Sequence, residues 1–184
     1  MSLIVEKMYD GVPDPAYMSE GAVAFDIAAW LPEGSKVTRF VSNHGYLEQG
    51  NVCDKEIVII PAAEGLRFDR GDRFLIPTGL RVIVPAGYEL QIRLRSSAIK
   101  TTLRLSNQVG TVDQDYRGEL FIPLENISPH WTMVVHHKER VAQAVLAPIT
   151  KGIEILPHGV RLEDVQVENA ITERGAGGFG STGQ

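Results

Sequence analysis

The sequence predicts an all-β fold, a jelly-roll-like barrel or sandwich with one short helix and a flexible glycine-rich C-terminal arm. Three observations carry this. Apolar and polar residues alternate with period two through the middle of the chain. Prolines at 61, 77, 85, 123, 129, 148 and 157 break any long helix. Helical spacing is confined to a single stretch.

The elements follow in order. In "GLRVIVPAGY", Leu80, Val82 and Val84 share the buried face, and Pro85-Ala86-Gly87 turns the chain. "YELQIRLR" continues with Leu90, Ile92 and Leu94 inward and Glu89, Gln91, Arg93 and Arg95 outward. "SSAIKTTLR" is the helical exception, with serines suited to an N-cap and Ile99 and Leu103 one turn apart. "ELFIPLE" buries Leu120, Ile122 and Leu124, and "RVAQAVLAPI" buries Val141, Val145 and Ile149. Residues 31–60 read as a loop-rich excursion ending in a buried strand, "EIVIIP".

A chain of 184 residues suits one domain with its own core. Cys53 is the single cysteine, which excludes an intramolecular disulfide and a CxxC metal site and fits a reducing, cytoplasmic setting. Glu6, Lys7 and Asp10 interrupt the first apolar residues, so no signal peptide is expected. No apolar run reaches membrane-spanning length. A net charge of −5 argues against a nucleic-acid surface. A small polyphosphate is still compatible, through a few basic groups or a metal.

Four stretches and a tail can carry chemistry. In "LRSSAIK", Arg95 and the backbone N–H groups near Ser96 and Ser97 suit an anion; the plain alternative is a capped helix with a solvated arginine, and alone it is favoured. In "NQVGTVDQDYRGEL", Asp113 ends a strand, partly shielded, where a carboxylate could deprotonate water; Asp115 to Gly118 form a tight turn. The alternative is an Asx-turn. Asp26 is the one charge in "GAVAFDIAA", which demands a metal or a paired arginine. Gln143 in "KERVAQAVLAP" is a solvated strand-edge amide or a ligand-facing donor. The ending "RGAGGFGSTGQ" has composition typical of a disordered terminus, yet its glycines, Ser181 and Thr182 could bind anions and Phe179 could stack on a ring.

Taken in order, these stretches resemble the five motifs of the trimeric dUTPases, within the dUTPase/dCTP deaminase superfamily. "AFDIAA", "RSSAIK", "NQVGTVDQDYRGEL", "KERVAQAVL" and "RGAGGFGSTG" are similar to motifs one to five, and the third and fifth are the most specific. The resemblance runs from about Ala22 onward, apart from 31–60, and divides the chain into a β domain (1–173) and a nucleotide-covering arm (174–184). It implies a homotrimer with shared active sites that hydrolyses dUTP to dUMP and pyrophosphate with Mg²⁺. Asp113 would orient the attacking water, and Asp26 would touch the metal through water. Arg95, Ser96 and Gln143 would hold phosphates. Asn107 would meet the uracil edge, Tyr116 would pack beneath the deoxyribose, and Ser97 and Val112 would also bind substrate. Arg174, Phe179, Gly180, Ser181 and Thr182 would close over the nucleotide.

Lys138 stands where the family has glycine, which puts that turn in question. Residues 31–60 are an insertion that could extend a strand pair or offer a surface to a protein partner, and the buried look of "EIVIIP" favours the strand pair. A dCTP deaminase is the nearest rival, but Pro123 occupies the position of its catalytic glutamate, with Glu125 two residues beyond. A nucleotide-sensing or regulatory protein using the insertion is the rival of another class.

Overall fold

The computed structural model describes residues 2–41, 54–61, 65–153 and 155–161. Its strands in chain order are β1 (Ile4–Lys7), β2 (Ala16–Tyr17), β3 (Phe25–Ala28), β4 (Lys36–Val41), β5 (Asp54–Ile59), β6 (Leu66–Phe68) and β7 (Arg73–Ile83). They continue as β8 (Tyr88–Arg93), β9 (Leu103–Leu105), β10 (Gly110–Val112), β11 (Glu119–Asn126), β12 (Met133–Val135) and β13 (Arg140–Pro148).

Among the described residues these strands make two main sheets and a small ribbon. One sheet runs β5-β4-β7-β11-β9 with β1 also on β7; the other runs β10-β8-β13-β3-β2; β12 pairs β6. The result is the all-β jelly-roll architecture expected, without closure into a barrel. Ile27, Ile76, Leu90, Ile122 and Leu124 are essentially inaccessible between the sheets. Truncating one of them, Leu124→Ala for instance, removes about 3 kcal/mol through lost transfer energy and the cavity left behind.

Alternation gives the right buried face for β7, β8 and β11, where one face is polar enough to fix the phase. On β13 the expectation was wrong. Ala142 and Ala144 are the inaccessible residues, while Val141 and Val145 are half-buried on the opposite face with Gln143. Both faces of "VAQAVLA" are apolar, so only Gln143 marks the outer one. A register shift against β3 between Arg140 and Ala142 sets that phase.

Residues 96–100 form a 3₁₀ turn, not the expected helix with Leu103 on it. Two short-range bonds hold it, Ala98 N–H to the Arg95 carbonyl and Thr101 N–H to the Ala98 carbonyl, both 3.0 Å. Arg95 precedes it in extended conformation without a side-chain cap, so the serine N-cap is absent, and Leu103 is buried on β9 instead. Thr101 returns to extended backbone, which stops a helix before it forms.

Within residues 31–60 the strand-pair expectation holds: β4 and β5 form an antiparallel hairpin at the end of the first sheet. "EIVIIP" is less buried than its composition suggests. β5 is the edge strand, and Ile57 and Ile59 face solvent while Ile60 is buried. Arg39 of β4 anchors the hairpin through Asp72, which is buried and also accepts the Asp69 N–H at 2.8 Å. The hydrogen-bonded Asp72 carboxylate raises the Arg39 pKa above its ordinary value.

In the turn after β12, His137 Nδ1 accepts the Leu31 N–H at 3.0 Å and its ring meets Trp30 edge-on. Burial, and secondarily the Lys138 charge, lower the His137 pKa. Lys138 itself has φ of +64°, so the turn keeps the left-handed geometry of a glycine, with the ammonium over the Trp30 ring.

The chain divides into two compact units, Met1–Ile149 and Thr150–Gln184. In the second, Ile153 and Ile155 are fully exposed and Val160 N–H closes a turn onto the Pro157 carbonyl. No helix among the described residues is long and apolar enough to cross a membrane.

Candidate active site

The first group of predicted residues sits on the β9–β10 connection and the turn after β10. Gln108 takes a left-handed φ of +62° and its N–H donates to the Leu105 carbonyl at 3.0 Å, which swings the chain back into β10. Asn107 lies over Gly110: a Cβ at 110 would come within 3.3 Å of both Asn107 Nδ2 and Ile92 Cβ. β10 pairs with β8 alone among the described residues, so one edge of its backbone is open at Val112.

Asp113 follows directly, and the Tyr116 N–H donates to its carbonyl at 3.3 Å. The Tyr116 hydroxyl donates to the Glu119 carbonyl at 2.7 Å. This fold-back requires Gly118, since a Cβ there would meet the tyrosine oxygen at 2.5 Å. Asn107, Val112, Asp113 and Tyr116 thus line one pocket of about 190 Å³, with Ile92 and Phe121 beside them. Asp113 is exposed in the chain instead of partly shielded. Among the described residues neither its carboxylate nor the Asn107 amide has a hydrogen-bond partner, which leaves both for a ligand.

A second group gathers on the outer face of the sheet that also holds β10. Asp26 of β3 and Arg93 of β8 both lie opposite Gln143 of β13, so the three side chains form a row. Gln143 is therefore on a central strand, not at a sheet edge, and its amide donates to the Leu94 carbonyl at 2.7 Å. Asp26, with only 11 % of its side chain exposed, accepts Arg95 Nε at 3.0 Å on one oxygen and Arg140 Nη1 at 3.1 Å on the other. The arginine pairing anticipated for this acid is present twice. Arg95 Nη1 also donates to the Arg140 carbonyl at 3.2 Å and to Ser97 Oγ at 3.3 Å. Arg95, Ser97, Lys100 and Arg140 border a separate pocket of about 380 Å³. This is a cationic, partly desolvated surface that suits phosphate oxygens.

Ser96 is exposed and lines neither pocket. Arg174, Phe179, Gly180, Ser181 and Thr182 lie outside the described residues. Sequence reasoning missed Arg140, although "KERVAQ" placed it beside Gln143; its tie to Asp26 spans 114 positions. Pro123 lines the pocket that holds Asp113 and Glu125 does not, so a deaminase glutamate has no counterpart there.

The sequence profile of the dUTPase family matches residues 60–183. The chain is 38% identical over 190 residues to the deoxyuridine 5'-triphosphate nucleotidohydrolase of Dinoroseobacter shibae, covering 100% of this chain and 99% of that protein. Its fold matches a mutant dUTPase of Staphylococcus bacteriophage 80alpha with dUpNHpp, with a TM-score of 0.68, 19% identity and coverage of 100% and 99%. It also matches a mutant dUTPase from phage phi11 of S. aureus that coordinates a structural Mg(II) ion, with a TM-score of 0.61, 17% identity and coverage of 86% and 99%. From the family profile and the full-length likeness to the Dinoroseobacter enzyme, the chain belongs to the dUTPase family.

Proposed function

We propose that this chain hydrolyses dUTP to dUMP and pyrophosphate, with Asp113 as the general base. The observation that carries the role of Asp113 is its unpartnered carboxylate, sharing one pocket with the unpartnered Asn107 amide and with Tyr116. Asp113 takes a proton from water as the water oxygen attacks the α-phosphorus; the bond to the α–β bridging oxygen breaks and its electron pair leaves with pyrophosphate. Asn107 and the open backbone edge at Val112 read the pyrimidine, where a mismatched base leaves buried polar groups unpaired. Tyr116 lies beneath the deoxyribose. Arg95, Ser96, Ser97 and Gln143 hold the phosphates, and Arg140 joins them.

Mg²⁺ belongs to this reading. Mg²⁺ keeps most of its waters and binds through one carboxylate and substrate phosphates. Asp26 would take that limited part through water, since each of its oxygens accepts one guanidinium N–H and keeps a lone pair for a metal-bound water. When bound, the ion would neutralise charge on the phosphates.

Asn107, Val112 and Tyr116 line one pocket of the chain, while Arg95, Ser97 and Arg140 line another. This supports a homotrimer in which neighbouring copies complete each site and the 174–184 arm, carrying Arg174, Phe179, Gly180, Ser181 and Thr182, closes over it. A cytoplasmic setting, resting on the lone Cys53, and a protein partner for the 31–60 insertion complete the proposal.

Separate incubation with dUTP and dCTP tests it. Pyrophosphate release from dUTP is expected; ammonia release from dCTP would overturn it.

A further inference from the structure

β7 and β11 change register between the pairs Glu119–Arg81 and Phe121–Pro77. Thr78, Gly79 and Leu80 therefore stand opposite the single residue Leu120. Gly79 makes the excursion with φ of +68°, and a Cβ there would lie 2.7 Å from Val12. Such a bulge removes ladder carbonyls from donors that must still be satisfied.

Here a side chain replaces them. Glu119 Oε1 accepts the Thr78 N–H at 3.1 Å and the Gly79 N–H at 2.8 Å. The Thr78 hydroxyl donates to the Leu120 carbonyl at 2.7 Å and accepts the Leu80 N–H at 3.2 Å. The first residue of β11 is thus pinned by its own carboxylate into the bulge. The carbonyl of that same residue receives the Tyr116 hydroxyl at 2.7 Å.

We propose that Glu119 is a positioning residue for Tyr116, and through it sets the preference for a sugar without a 2′-hydroxyl. The proposal rests on the reading of Tyr116 as the floor under the deoxyribose. Without the carboxylate, two amide donors lose their acceptor, β11 shifts at its start, and the carbonyl that orients the tyrosine moves with it. The ring then no longer closes the space that a ribose would need.

The test compares kcat/KM for dUTP and UTP, and Tm, in the full-length wild type, Glu119→Ala, Glu119→Gln and Tyr116→Phe. The dUTP/UTP ratio should fall about tenfold in Glu119→Ala, the scale of one lost hydrogen bond. Glu119→Gln keeps an acceptor oxygen and should hold the ratio within about threefold. Tyr116→Phe should reproduce the loss, and the Glu119→Ala/Tyr116→Phe pair should lose no more than either single change. A lowered Tm with an unchanged ratio in Glu119→Ala, or losses that add in the pair, would overturn the proposal. Should Glu119→Ala fail to fold, Glu119→Asp, whose shorter arm withdraws from the bulge amides, decides on the same ratio. A wild type without preference for dUTP would instead overturn the underlying reading of the pocket.

Discussion

Asp26 and Arg95 meet at 3.0 Å, and the second oxygen of the same carboxylate meets Arg140 at 3.1 Å. One largely buried acid therefore holds two guanidinium groups that, on the proposed reading, also face the triphosphate. Asp26→Asn should leave the arginines without their counter-charge, and loss of one member of such a pair costs about 3 kcal/mol. Urea unfolding should show that loss. The kcat/KM for dUTP should drop about 100-fold as the phosphate-holding geometry loosens. An unchanged kcat/KM would remove Asp26 from the site.

Asp113→Asn separates chemistry from binding. The carboxylate is exposed and bonds to no described residue, so its replacement disturbs little of the fold. Pyrophosphate release should fall by about 10³, within the range for a lost general base. Calorimetric titration with a non-hydrolysable dUTP analogue should give a Kd within about threefold of wild type, because the amide keeps the shape of the site.

Gly118→Ala should act through Tyr116. The added methyl would sit 2.5 Å from the hydroxyl and 2.7 Å from Cζ, so the ring has to swing away from the Glu119 carbonyl. Tyr116 is exposed enough to move, and Tm should change by a few degrees only, since about one hydrogen bond is lost. The KM for dUTP should rise. A normal KM would show that the fold-back of the tyrosine does not matter to the sugar.

His137 makes folding sensitive to mild acid. Its pKa is lowered in the folded protein, chiefly by partial desolvation of a ring that otherwise stays exposed, while its Nδ1 must stay unprotonated to accept the Leu31 N–H. Above the unfolded value of about 6.5 the contribution is fully present. As pH falls through that value the unfolded chain binds a proton that the folded chain resists, and stability declines toward the lowered folded pKa. Tm measured from pH 8 to pH 5 should fall more steeply in wild type than in His137→Asn. Parallel curves would exclude His137 as the source.

Removing residues 174–184 should reduce dUTP turnover about 100-fold or more, on the reading that the arm closes over bound nucleotide. The Tm of the remaining chain should stay within a few degrees. Turnover at the wild-type rate would deprive the terminal motif of its role.

What the sequence disclosed depended on how local each signal was. Leu120, Ile122 and Leu124 were legible because Glu119, Pro123 and Glu125 mark the opposite face despite Phe121 among them, and Asp113 after β10 was legible from its strand-terminal place. β13 was misread because apolar residues line both its faces. The exposure of Ile57 and Ile59 depends on β5 having no neighbour beyond β4 among the described residues, which composition does not record. Asp26 advertised its need for a partner, but Arg140, 114 positions away, could not be named in advance. The bulge closed by Glu119 likewise joins residues some 40 positions apart. Lys138 shows the reverse case, in which a residue other than glycine takes the left-handed conformation that glycine adopts freely.

The β4–β5 hairpin has one further consequence. Val41 and Asp54 are direct register partners, so the chain leaves the sheet and re-enters it at adjacent points. The connection 42–53 spans no distance that a two-residue Asn-Gly turn could not also span. The hairpin also lies ahead of residues 60–183, which match the family profile. Among the described residues β8, β10 and β11, which flank Asn107, Asp113 and Tyr116, pair with neither β4 nor β5, so an exchanged sequence or a tag at the hairpin end would enter outside the ladders of those strands.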